Sequence, residues 1–377
     1  MVSAAVVGTG VALSFPLVAL VLEAEGATAT AIGLNAAAHG LGVLLAAPFF
    51  GRTVRKLGAA RGMRVGLTLA AILLLGFPLA TDLGYWFILR LGFGAATALV
   101  FVISEAGINA LAEDGRRGRV LAMYGTMFGV GYALGPLILG LLGSDGALPF
   151  LVGAAVLAAG ILPTFAVPSI DGALDGRPGA YAARRLMRLG RAIPLVLLVA
   201  LVVGWTETSQ FSLLPVWAIR HGLDETTVAW LLGLWVAGDI LFQYPIGWLA
   251  DRLPRRRLLL AAALGATLLA LTLTTPLVAA TPWLLIPALI AHGGLIGGSY
   301  VLALTLMGER FRGAALVGAN AAFVLAFEIG AMIGPPLTGL AFGAIGTAGL
   351  PLALALVTAT IVAAGLHARR ASALSRA

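Results

Sequence analysis

The stretch GYALGPLILG, Gly131 to Gly140, returns later in the chain as GAMIGPPLTG, Gly330 to Gly339. Gly131, Gly135, Pro136 and Gly140 therefore have counterparts at the same spacing in Gly330, Gly334, Pro335 and Gly339. Each copy lies inside a long apolar run, one in each half of the chain. Glycines four residues apart let two helix backbones approach closely in an apolar medium, and proline bends a helix at a fixed place. One such match says little in a glycine-rich chain. Two, with matched spacing at matched depth, indicate an internal duplication, and the fold follows from that symmetry.

The residues around these stretches belong in lipid. The chain is 60% hydrophobic and 11% charged, with a mean hydropathy of +1.02, whereas soluble domains carry roughly 25% charged residues. Glycine, 50 of 377 residues, runs at about twice its usual frequency, as helices packed through small residues require. The absence of cysteine excludes disulfides, thiol catalysis and Cys-ligated metals. A net charge of +8 would suggest nucleic acid in a soluble protein, but its distribution points to the membrane and no nucleic-acid partner is expected.

Twelve apolar segments are long enough to cross a bilayer, which takes about 20 helical residues. Their approximate spans are 3–22, 30–50, 63–81, 84–110, 119–143, 147–167, 193–218, 226–250, 257–277, 281–307, 314–343 and 347–366. The first lacks a basic leader and is too long for a signal peptide, so it reads as segment 1. The predicted architecture is an all-α integral membrane protein of two pseudosymmetric six-helix bundles, 1–167 and 193–366, with a linker at 168–192 and a tail at 367–377. Assigning alternate loops to one side gathers every Lys and Arg there except Arg90 and Arg220. By the positive-inside rule that side is the cytoplasm, and both termini lie in it. In the linker, Pro168, Gly172, Gly176, Pro178 and Gly179 break structure. YAARRLMRLGRA then sets Leu186 and Leu189 opposite a basic face, reading either as a short helix on the anionic inner leaflet or as a solvated basic linker.

Six helices, a basic linker and six more, with internal repetition, describe a secondary transporter. The chain resembles the major facilitator superfamily along essentially its whole length. GWLADRLPRRR, Gly247 to Arg257, is similar to the family's loop signature. GRTVRKLGAAR, Gly51 to Arg61, keeps Gly51, Gly58 and Arg61 of that signature but has Arg55 where the family has aspartate. RLGFG, Arg90 to Gly94, resembles the helix 4 signature, and GYALGPLILG the helix 5 signature associated with antiporters. Because the second half carries a copy nearly as good, the antiporter implication is discounted. FPLVALVLEAEG, SEAGINA and RRGRVLAMYG are most like the bacterial YcaD-type branch. The resemblance implies a bacterial cytoplasmic membrane carrier, monomeric, with no cofactor.

The loop signature has a physical reading of its own. Asp251, with Gly247, Arg255 and Arg256 around it, can cap the positive end of a helix near Arg117 and Arg119 and so close the cytoplasmic side. Arg55 and Lys56 at the equivalent first-half position would repel a helix N-terminus, so they are expected to pair with Glu309. The alternative is that these charges serve topology alone.

Ionisable groups within apolar segments are costly and are retained for pathways. Four acids qualify: Glu105, Glu207, Asp239 and Glu328. At ~1.5 Å per residue, Asp239 lies about 18 Å from Asp251 and Glu207 about 24 Å from Arg191, near mid-membrane. Residues four apart share a helix face, which pairs Asn35 with His39, Glu105 with Asn109 and Asp239 with Gln243. Glu207 with Gln210 is three apart, and His292 and Tyr300, eight apart, are expected to face one way. These residues form the predicted substrate cavity. No histidine pair has metal-ligand spacing. Arg90 is assigned to bundle structure or to tuning a nearby carboxyl. Trp86, Trp217 and Trp283 read as interface anchors, and Trp205, Trp230 and Trp235 as anchors or cavity walls.

The predicted mechanism is alternating access driven by protons, with Glu207 and Asp239 as first coupling candidates and Glu105 and Glu328 next. Four acids against one arginine favour export of a small neutral or cationic amphiphile. The alternative is symport or facilitated uptake of a neutral nutrient such as a sugar. Asparagine occurs only at Asn35, Asn109 and Asn320, and glutamine at Gln210 and Gln243, which is sparse for a sugar cavity. A transporter-like receptor or scaffold would need an appended domain. No Walker loop, nucleophile elbow or zinc pattern suggests an enzyme or ATP-driven transport.

Overall fold

The computed structural model describes residues 1–111, 117–166 and 190–374, and these are helical almost throughout. Twelve helices of at least 12 residues occur among them. They are α1 (Val2–Ala24), α2 (Ala29–Leu57), α3 (Ala59–Gly76), α4 (Leu83–Leu111), α5 (Arg117–Leu142) and α6 (Leu148–Ala159). Next come α7 (Pro194–Arg220), α8 (Glu225–Ala250), α9 (Arg255–Thr272), α10 (Pro282–Arg310), α11 (Gly313–Ile345) and α12 (Gly349–Leu374). Ten stretches are long and apolar enough to cross a bilayer. The last of these, Gly318–His367, takes in parts of α11 and α12, while α9 opens on three arginines and falls outside the set. The sixth expected segment is broken, α6 giving way to a 3₁₀ turn at Leu162–Ala166. The helix expected in the linker lies outside the described residues.

Helix beginnings follow from local chemistry. The first amides of a helix lack intrahelical partners, and a short polar side chain just before them can accept their hydrogen bonds. Thr28 does this for Ala31 at 3.2 Å, Asp82 for Tyr85 at 2.8 Å and Asp224 for Thr227 at 3.0 Å. In the turn after α5, Gly143 and Gly146 take φ of +70° and +68°, a conformation that side-chain-bearing residues seldom adopt. Side chains such as Leu141, 86% exposed, and Trp283, 85% exposed, show the surface that lipid must cover.

The chain divides into two compact units. The first holds Met1–Ala27, Leu34–Ala180 and Asp224–Trp230, and the second holds Thr28–Gly33, Tyr181–Leu223 and Leu231–Ala377. Within the first, α5 lies against α1 through the repeated glycines. A Cβ on Gly131 would run into the Ala5 carbonyl, and one on Gly135 would sit 2.5 Å from the Leu13 nitrogen. Glu225, at the start of α8, accepts hydrogen bonds from Ser144 N at 2.8 Å and Ser144 Oγ at 2.6 Å.

The second unit repeats the crossing. A Cβ on Gly330 would meet the Leu201 carbonyl of α7, and one on Gly334 would stand 2.6 Å from Trp205 Cγ. Thr30, near the start of α2, donates to the Gly339 carbonyl at 3.2 Å. A further pair of crossings was not read from the sequence. In the first unit, Gly42 of α2 faces the Leu91 carbonyl of α4, and Gly94 faces that of His39. In the second, Gly238 of α8 faces the Ile290 carbonyl of α10, and Gly293 faces that of Trp235. The duplication therefore extends to the second helix crossing, with His39 and Trp235 as equivalents.

Candidate functional site

Polar side chains collect beside these crossings. In the second unit, α7 carries Glu207, α8 carries Asp239, and the two carboxyl groups lie close enough to interact electrostatically. Gln243, one turn along α8, donates its amide to Asp239 Oδ1 at 3.4 Å. The Asp239 side chain packs directly on Gly297 of α10, filling the space a larger residue there would need. One turn further along α7 and one turn back along α8, Phe211 and Trp235 meet edge to face with centroids 5.9 Å apart. The Trp235 indole N–H donates to His292 Nδ1 of α10 at 3.1 Å. Three helices thus contribute to two adjacent layers: Glu207, Asp239 and Gly297 in one, Phe211, Trp235 and His292 in the other.

The first unit carries a buried cation one turn from its own α2–α4 crossing. Arg90 of α4 is 1% exposed and donates to Ser14 Oγ at 2.9 Å, to the Ser14 carbonyl at 3.1 Å and to Asn35 Oδ1 at 3.4 Å. Its guanidinium also lies over the Phe15 and Phe77 rings, 4.6 and 5.6 Å from their centroids. A fully buried charge survives only if hydrogen-bonded, and here the partners are neutral oxygens and ring faces. His39 sits between Phe15 and Phe93, at 5.2 and 5.9 Å. An imidazole and an aromatic ring therefore occupy both α2–α4 and α8–α10 crossings with their places exchanged: His39 with Phe93, Trp235 with His292. Arg90 serves bundle structure, the first of the two roles expected of it.

The sequence profile of the Major Facilitator Superfamily matches residues 1–185 and 196–375. The chain belongs to that superfamily. Similar proteins include YfkF of Bacillus subtilis (strain 168), an uncharacterized MFS-type transporter, 27% identical over 329 residues that cover 86% of this chain and 83% of YfkF. An MFS-type transporter of Yersinia enterocolitica is 28% identical over 311 residues, 82% of this chain and 79% of that one. Among solved structures, the nucleoside transporter NupG matches with a TM-score of 0.78 at 14% identity, over 97% of this chain and 96% of that chain. The D-xylose-proton symporter matches with a TM-score of 0.70 at 15% identity, over 97% and 94%. At such identities the likeness carries the fold alone. This major facilitator protein is a multi-pass membrane transporter with bacterial relatives.

The MFS loop signature ties together the ends of α8, α9, α10 and α12. Arg255 reaches Asp251 at 3.7 Å, donates to the Ala250 carbonyl at 3.1 Å and pairs with Glu309. Arg256 donates to the Gly365 carbonyl at 3.0 Å. The expected pairing of Arg55 with Glu309 is thereby corrected, because the end of α10 carrying Glu309 lies beside the start of α9 and Arg255 reaches it first. The side chains of Asn109, Arg117 and Arg119 lie outside the described residues.

Other expected positions separate. Glu105 lies near Tyr124 of α5, whose hydroxyl shares a 2.9 Å hydrogen bond with Ser104. Tyr300 turns to Phe323 and Phe327 of α11, at 5.1 and 6.4 Å, whereas His292 turns to α8, so the two do not face one way. Eight residues at 100° each leave them about 80° apart. Glu328 follows Phe327 on α11, whose carbonyl faces Gly204 of α7. Gln210 is fully buried, and neither atom of its amide has a hydrogen-bond partner. Trp86 and Trp217 are core residues at 1% exposure and not interface anchors. Trp86 is held by the Phe77 and Ala80 carbonyls and by the Phe77 and Phe150 rings. Missed entirely were Ser14, which anchors Arg90, and Thr338, which accepts from Trp205 Nε1 at 2.9 Å. A serine or threonine inside an apolar helix usually bonds its own backbone, so neither carried a signal.

Proposed function

We propose that this protein is a proton-coupled secondary transporter working by alternating access, with twelve crossings and both termini in the cytoplasm. Its substrate is a small cationic or neutral amphiphile, and its direction is export. The finer kinship lies with the YcaD-type branch. The observation that carries this reading is the Glu207–Asp239 pair, two acids on different helices whose charges interact, one turn from the contact of Phe211 with Trp235. Two carboxylates at short range in a low-dielectric setting repel each other, and a shared proton or a bound cation relieves the repulsion. Competition between proton and cationic substrate for one acid pair is a sufficient coupling device: loading one expels the other. The scarcity of amide side chains supports an amphiphile over a sugar.

The test is flux through proteoliposomes with and without a pH gradient, using ethidium as the cationic probe and xylose as the neutral one. Proton-driven ethidium movement that is lost in both Glu207→Gln and Asp239→Asn is expected. Unaltered proton dependence in both variants would remove the pair as coupling groups, and xylose flux without ethidium flux would replace the substrate class. Asp251 is proposed to act at the cytoplasmic gate together with Arg255. Spin-label distances across that end should change in Asp251→Asn, and an unchanged distribution would reduce these charges to topology.

A further inference from the structure

The hydrogen bond between Trp235 and His292 has a consequence for the neighbouring acids. An indole N–H can only donate, so His292 Nδ1 must be the bare, accepting nitrogen, and the neutral ring carries its proton on Nε2. The lone pair that accepts from Trp235 is the same one a further proton would take. Binding a proton at Nδ1 and holding the indole are therefore mutually exclusive. His292 is fully buried and Nε2 has no hydrogen-bond partner. Trp235 is 2% exposed and wedged against Phe211, so its indole has little freedom while the bond lasts.

Trp235 stands one turn from Asp239 on α8, and Phe211 one turn from Glu207 on α7. The link from Phe211 through Trp235 to His292 thus braces, across α7, α8 and α10, the turn that carries the acid pair. We propose that His292 is a positioning residue for the acid pair: with Nδ1 bare it holds Trp235 and the adjacent turn of α8 against α10, and a proton bound at Nδ1 releases that hold. The proton comes from water, an N–H bond forms at Nδ1, and the indole hydrogen bond is the one given up. The titratable and charged groups on the elements packed against α10 are Glu207 and Arg220 on α7, Glu225, Asp239 and Tyr244 on α8, and Glu328 on α11, with Arg255, Arg256 and Arg257 at the start of α9. This inference rests on the acid-pair reading for its consequence, not for its geometry.

The experiment uses the full chain in lipid nanodiscs with tryptophan labelled at the indole nitrogen. Trp235→Phe identifies the Trp235 resonance. In wild type that resonance should move between two positions as pH falls from about 8 to about 3. In His292→Gln, whose carbonyl oxygen still accepts from the indole but takes up no proton in this range, the movement should be lost. Flux of His292→Gln should show an altered pH profile. An immobile wild-type resonance, or equal movement in His292→Gln, would overturn the proposal. If His292→Gln fails to fold, the ring-nitrogen signals of labelled histidine in wild type and Trp235→Phe decide: the His292 titration must change when the indole donor is removed, and an unchanged titration overturns it. Because the resonances are read without substrate, they separate this inference from the transport reading. Wild-type proton dependence in the acid variants beside a pH-linked indole shift would sink the coupling role and leave the hold on α8 standing.

Discussion

Replacing Gly135 by alanine adds one methyl group where α5 crosses α1. That methyl would stand 2.5 Å from the Leu13 nitrogen and 2.6 Å from the Ala12 carbonyl carbon, where 3.4–4 Å is ordinary contact. The nearest atoms include backbone, so no side-chain rotation relieves the overlap and the two helices must part by about 1 Å. A gap of 0.5–1 Å forfeits roughly a quarter to a half of each dispersion contact along the opened seam. Overpacking of this kind costs about 1–3 kcal/mol, and a value near 2 lowers the folded-to-unfolded ratio by roughly thirtyfold. Gly125, on the same helix, has nothing within 4 Å of a Cβ and provides the control. Thermal midpoints of the purified variants in detergent should fall by several degrees for Gly135→Ala and stay at the wild-type value for Gly125→Ala. Gly334→Ala should behave like Gly135→Ala, since its methyl would lie 2.7 Å from the Trp205 Cα in the repeated crossing. If Gly135→Ala were as stable as Gly125→Ala, the glycine repeat would not be a packing device, and the argument from duplication to close helix approach would fail.

Arg90→Lys keeps the charge but loses the planar fork that bonds Ser14 and Asn35 together, so stability should fall by roughly 1–3 kcal/mol in the same thermal assay. Arg255→Ala should change stability by less than about 1 kcal/mol, because its partners Asp251 and Glu309 are largely exposed and such ion pairs contribute little. Asp224 lies in the loop before α8, and its hydrogen bonds from Thr227 hold its carboxyl below the usual aspartate range. A depressed folded-state value means its cap stabilises at neutral pH and is lost only as pH falls through the acid range. Asp224→Asn should therefore differ from wild type in hydrogen exchange at the start of α8 near pH 7 and converge with it in acid. Equal exchange at pH 7 would show that the carboxylate is not what holds the cap.

How much could be read in advance depended on whether the relevant interaction is local in the chain. A helix in lipid closes its hydrogen bonds within itself, so apolar length alone announced nearly every helix. The glycines of α5 and α11 were visible because their repeat lies within one helix and recurs in its copy. Gly42 with Gly94, and Gly238 with Gly293, carry the same physics but face each other from different helices, and nothing in either local pattern fixes their register. The same limit explains Glu309. Its charge demanded a cation, and the sequence offered several, yet only the lateral neighbour of α10 decides that Arg255 meets it. Trp86 and Trp217 sit near helix ends, where tryptophan usually marks the bilayer interface, but Phe77 and Phe150 enclose the first and remove it from lipid. The acid pair stood between these cases. Each carboxyl was conspicuous alone in its apolar run, whereas their proximity depends on α7 and α8 lying side by side at one height, where Phe211 and Trp235 also meet. The two units share the glycine crossings but not the charges beside them: Arg90 with neutral partners stands by the α2–α4 crossing, and Asp239 of the acid pair by the α8–α10 crossing. Close helix approach is thus what the duplication preserves, while the charged positions arose separately in each unit.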